Sequence, residues 1–231
     1  MAGPVPTTAV SVLAGLVLGD GRLPVGASSH SWGVEPAVRH MGLDGADDLR
    51  SFLEARLPEA ALVEATAAAL AAGHEVVTPD PWWEHLVAEL DARIPSAAQR
   101  ATSDRLGRLL LRAAGRLWPS PGLALVADGR RTPQAAVLGA VGRAASISPV
   151  DAAALSLHGA ASMAASAAVR LRGLDPVEAQ AVVVGLHPLL ATLAATAAGV
   201  GGPSDLPPGG TVTVDLLAEV HAHEEARLFA S

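Results

Sequence analysis

The sequence contains no cysteine, no lysine and no tyrosine, and each absence removes a class of chemistry. Without cysteine there is no thiol nucleophile, no disulfide framework and no thiolate zinc site. Without lysine there is no phosphate-loop lysine and no Schiff base, hence no anchor for pyridoxal phosphate. All 16 basic residues are arginine. Aromatic residues make up only 3% of the chain and charged residues 17%, against 50% hydrophobic residues. The apolar content is therefore alanine, leucine and valine, and the strong helix formers among them predict an all-α fold. So few charges leave two readings of the surface. Either apolar area is kept for a partner, or alanine raises the apolar count without making the surface adhesive. A formal net charge of -7 argues against nucleic acid, which needs clustered cations. A length of 231 residues is enough to bury a substantial core.

The N-terminus lacks a basic segment before its short apolar run, unlike a secretory signal. Residues 179–204 carry no formal charge and are long enough to span a membrane. They are rich in Ala, Gly and Thr, however, and contain Gln180, His187 and Pro188, which suits a helix buried in a soluble bundle. The expectation is a cytoplasmic protein with no membrane partner.

Four sites place a capping side chain just before a proline: Asp80-Pro81, Thr132-Pro133, Ser148-Pro149 and Asp175-Pro176. The side chain accepts from an orphan backbone N–H, and proline at the first helical position gives up no bond. Asp151 and Glu178 add a carboxylate at the third helical position of two of them. Helices are expected near 7–18, 33–40, 46–57, 59–73, 81–92, 97–117, 133–145, 149–171 and 176–198. In 97–117, Leu106, Leu109, Leu110 and Leu117 lie mostly on one face, with Arg105, Arg108, Arg112 and Arg116 interleaved. TVTVDL at 211–216 reads as a short strand or an extended tail. Two segments stand apart: the Gly/Ser-rich loop 19–33, and the Gly/Pro stretch after Gly199 that leads into a terminal arm. The expected architecture is a single multi-helix bundle over residues 1–200, with a long N-terminal loop, and a flexible C-terminal linker and partner-binding arm over 201–231.

Reactive constellations are scarce. There is no G-x-S-x-G elbow, and His74-Glu75 and His223-Glu224 lack the second histidine of a zinc motif. His221, His223 and Glu225 form the best metal candidate; a solvated polar tail is the favoured reading, with nickel binding by imidazole the alternative. His158 and His187 read as hydrogen-bonded core or interface histidines. Gly159, Ser162 and Ala165 to Ala168 would admit a close helix neighbour. Trp82, Trp83 and Trp118 are core or interface anchors. Loop 19–33 has the outline of an anion cradle but lacks the lysine and spacing of a phosphate loop. The residues by themselves point to an assembly component with no catalytic residue, no metal site and no cofactor. The alternative is a small helical metal-dependent hydrolase using the scattered His and Glu residues.

The segment Asp20 to Glu35, DGRLPVGASSHSWGVE, resembles the N-terminal signature of the UreF family of urease accessory proteins: Leu23, Pro24, Gly26, Ser29, Ser31, Gly33 and Glu35 fall in place. Ser156 to Leu171, ending Val169-Arg170-Leu171, and Leu174 to Gln180 are similar to the family's late helices. Leu217 to His221, through Arg227-Leu228-Phe229, is similar to its terminal segment. Ser28 stands where the family usually has Phe, His30 where it has Tyr, and Trp32 where it has a polar residue; residues 75–130 match nothing. The resemblance implies an all-α homodimer that binds a UreD/UreH-type protein and recruits the GTPase UreG, so that nickel passes to the urease apoprotein. It also implies partner-binding roles for His30, Ser31, Glu35, Arg227 and Phe229.

Overall fold

A computed structural model of the chain describes residues 7–25, 31–78, 80–209, 216, 218 and 219. The helices are α1 (Thr7–Leu18), α2 (Val34–His40), α3 (Ala46–Arg56), α4 (Leu62–Gly73), α5 (Pro81–Arg93), α6 (Ala97–Leu117), α7 (Pro121–Ala127), α8 (Gln134–Ala144), α9 (Pro149–Arg172), α10 (Pro176–Gly185) and α11 (His187–Ala198). Among the described residues there is no strand. Of 211–216 only Leu216 is described, so most of that expectation falls outside them.

The expected caps form at three of the four sites. Asp80 accepts from the Trp83 amide, Ser148 from that of Asp151, and Asp175 from those of Val177 and Glu178. Thr132 does not cap α8. Its hydroxyl instead donates to the Asp104 carbonyl at 3.2 Å, and the Gln134 amide donates to Ser103 Oγ of α6 at 2.9 Å. The loop before α8 lies against α6, so tertiary packing supplies the missing acceptor.

Two expected boundaries change, and proline explains both. The segments at 46–57 and 59–73 run together through a π-turn at Leu57–Ala61 around Pro58. The wide turn absorbs the missing donor without ending the helix. The single helix expected over 176–198 breaks at Leu186 and bends by 47°. Pro188 lacks an N–H and its ring would crowd the carbonyl of Val184.

Helix α4 is the axis of the bundle. It packs on α8 and α9 and carries two buried stripes. Ala65 and Ala69, in line with Ala61 of the π-turn, face one core with α2, α3, α9, α10 and α11, whereas Val63, Ala67 and Ala71 face another with α5 to α8. Alanine is mostly buried here because small side chains let helices approach closely. At Gly139 of α8 a Cβ would stand 2.2 Å from the Ala68 carbonyl oxygen of α4, so only glycine permits this crossing. Helix α9 is long and apolar enough to cross a membrane by length and composition, and half of its most apolar window is buried in the bundle. Residues 199–209 continue along α5: Leu206 is buried, and Arg93 Nε donates to the carbonyls of Leu206 and Pro207 at 3.0 and 2.9 Å.

Candidate functional site

The second half of the signature sits where α2 begins. Its backbone turns through Trp32 and Gly33 with φ of 49° and 84°. For tryptophan the left-handed conformation costs about 1–2 kcal/mol, so its surroundings must hold it. Arg56 of α3 donates from Nη1 to the Trp32 carbonyl. The same guanidinium lies over the Trp32 ring, with 4.1 Å from Cζ to the ring centroid. Phe52 meets that ring edge-on at 6.4 Å. Glu64 of α4 accepts a hydrogen bond from the indole, and burial pushes its carboxyl above the ordinary value while the Arg56 charge and the indole N–H pull the other way.

Ser31 and Glu35 are both fully buried. The Glu35 amide donates to Ser31 Oγ at 3.4 Å, and Arg39 donates to the Glu35 carboxylate at 2.8 Å. These bonds tie Ser31 and Glu35 into the turn that begins α2. His30, Arg227 and Phe229 lie outside the described residues, as do His221, His223 and Glu225.

Glu64 also lines a cavity of about 280 Å³ between the start of the signature and α9. Leu18 and Val25 close one side, Leu138 and Gln134 of α8 another, and His158, Gly159 and Ser162 of α9 the third. His158 is half-buried and contacts Ser162 at 3.2 Å; burial, then the neighbouring His187 ring at 5.9 Å, lowers its pKa. Beside this cavity α1 turns Val10, Val12, Leu13, Leu16 and Val17 outward, each more than 40% exposed, while Ala14 is buried. These outward positions cover nearly half of the helix circumference at 100° per residue. Where composition left two readings of the apolar surplus, most described alanines pack inside, and α1 carries more of the exposed large side chains than any other helix.

Sequence reasoning missed Arg56, Phe52 and Glu64. A signal for Arg56 was present: Leu49, Leu53 and Arg56 share one face of α3, so an arginine occupies the buried stripe. A second cleft, of about 270 Å³, holds His74 stacked on Trp82 at 3.8 Å and 3.2 Å from Asp80. Among the described residues no three His, Asp or Glu side chains converge as a metal site would require.

The UreF family model matches residues 43–187. A urease accessory protein UreF of Mycolicibacterium vanbaalenii is 39% identical over 218 residues, covering 94% of this chain and 97% of the relative. That of Mycobacterium marinum is 36% identical over 217 residues, with the same coverage. That of Mycobacterium tuberculosis is 35% identical over 225 residues, covering 97% of this chain and all of the relative. On family match and near full-length identity, the chain belongs to the UreF family of urease accessory proteins.

Proposed function

We propose that this chain is a cytoplasmic, non-catalytic scaffold for nickel insertion into urease. It dimerises, binds a UreD/UreH-type accessory protein, and through it recruits the GTPase UreG, whose GTP hydrolysis it regulates as the metal passes to the urease apoprotein. Nickel is cargo of the assembly rather than a resident cofactor. The observation that carries this reading is the apolar outer face of α1, a helix whose last residue, Leu18, lines the cavity beside the signature. A domain acting alone rarely leaves so much aliphatic surface uncovered. Ser31 and Glu35 serve by fixing the conformation of the signature, whereas His30, Arg227 and Phe229 meet the partner directly.

The test is co-expression of the tagged chain with the UreD and UreG proteins of its own genome, followed by pull-down and light scattering. Wild type should give one complex containing all three. Arg227→Ala should lose the GTPase and keep the UreD-type protein. Leu13→Asp with Leu16→Asp should lose the complex without lowering the melting temperature. A well-folded wild-type chain that captures neither protein would overturn the proposal.

A further inference from the structure

Helix α6 carries five arginines against one aspartate in a chain of net charge -7. Arg105, Arg108, Arg112 and Arg116 are all exposed, while Leu106, Leu110, Leu111 and Ala114 are buried against the bundle. Spacings of three, four and four residues set the four on one stripe about 16 Å long, at 1.5 Å per residue.

This stripe differs from most of the arginine population. Among the described residues eight other arginines are ion-paired. Among the described residues the four of the stripe meet no carboxylate and no carbonyl. Two acids on or beside α6 are already engaged. Asp104 of α6 accepts from Arg131 Nε and Nη2 at 3.0 and 2.7 Å, and Asp91 of α5 also accepts from Arg131. The fold thus spends its local carboxylates on the loop before α8 and leaves a row of like charges on α6. Such charges repel at close spacing and are destabilising in an isolated helix.

We propose that the α6 stripe is a docking surface for an acidic protein partner, one that presents carboxylates along a helix or segment at matching intervals. Each guanidinium offers a planar fork that pairs two-to-two with a carboxylate, which a point charge does not do. A lipid bilayer is a poorer occupant. The apolar face of α6 is already buried, and an interfacial helix needs that face to enter the headgroup layer. Nucleic acid is poorer too, because the chain's overall negative charge opposes a polyanion over the longer range. The inference rests on α6 alone and does not depend on which proteins complete the nickel-loading assembly.

The probe is a synthetic helical peptide with glutamates at intervals of three, four and four residues, beside an analogue with glutamine at each. Binding is read by fluorescence anisotropy at low and at physiological salt. Wild type should bind the glutamate peptide about tenfold tighter than the glutamine peptide, with the difference shrinking as salt rises. R108A with R112A should lose about tenfold, whereas R108K with R112K should recover part of that loss, since charge returns without the fork. R143A with R172A, which removes two ion-paired arginines elsewhere, should change binding by less than about twofold. Circular dichroism melts should not fall for the α6 variants, because all four side chains are outside the core. Equal binding by wild type and R108A/R112A would overturn the proposal. So would tighter binding, sensitive to the same substitutions, to phosphatidylglycerol vesicles or to a DNA duplex.

Discussion

Arg56 holds Trp32 from two directions: its guanidinium donates to the Trp32 carbonyl and lies over the Trp32 ring at 4.1 Å. The first contact fixes the backbone of the signature in a left-handed turn, and the second fixes the side chain. Together they tie the start of α2 to α3, and the indole passes the link to Glu64 at the cavity wall.

Arg56→Met keeps most of the aliphatic stem and removes the charge. A buried carbonyl then loses its donor, at a cost of about 1–3 kcal/mol, and the ring loses a cation worth about 1 kcal/mol. Urea denaturation should show a loss of about 2–4 kcal/mol. A loss below about 0.5 kcal/mol, the range of a neutral surface change, would mean that the turn is held by other contacts.

Glu64 gives a pH dependence of definite sign. Its folded carboxyl is raised above 4.5 chiefly by burial, so between the two values the folded state holds more protons than the unfolded chain. Its contribution is fully present below 4.5 and is lost as pH rises through the folded value. Glu64→Gln removes this titration. The stability of wild type relative to Glu64→Gln should therefore fall as pH rises from 4.5 toward neutrality. At pH 7 the variant should be at least as stable as wild type. A relative stability that climbs over the same interval would mean that the attraction to Arg56 outweighs burial.

Much of this fold was legible because its helix starts are chemical. Asp80, Ser148 and Asp175 cap as their position before proline indicates. Helix α7, which is not among the expected helices, begins with the same pattern, Ser120 before Pro121. Thr132 fails as a cap for a reason no local pattern holds, namely that Ser103 of another helix stands in its place. The signature was legible as a motif and illegible as a structure. Its main supports, Arg56 and Glu64, lie more than 20 residues away in sequence, and a single chain does not show which distant arginine turns inward. The α6 stripe shows the converse. Its amphipathic pattern is plain in sequence, yet that its charges lack partners is a fact of three dimensions.

Two glycines should respond very differently to alanine. Gly173 ends α9 in a left-handed conformation, φ 69°, with open space where a Cβ would go. Gly173→Ala should cost about 1 kcal/mol, the strain of that conformation alone. Gly139→Ala would place a methyl 2.2 Å from the Ala68 carbonyl oxygen and 2.7 Å from the Ala71 Cβ. Helices α4 and α8 must then separate, and overpacking of this kind costs about 3 kcal/mol or more. Thermal melts of the two variants should rank accordingly. Similar melting temperatures would show that the α4–α8 contact is looser than described.

The His158–His187 pair offers a test confined to one face of the bundle. Burial is the larger cause of the lowered His158 value, and the His187 ring the smaller. In His187→Gln the His158 midpoint, followed by NMR, should move upward and still lie below 6.5, since burial remains. His158 is kept neutral in the fold, so its contribution is present above 6.5 and is lost as pH falls through 6.5 toward the folded value, because the unfolded chain takes the proton first. The His187→Gln variant should show a smaller loss over that interval. An unmoved His158 midpoint would mean that the two rings do not sense each other, and the lowered value would then belong to burial on α9 alone.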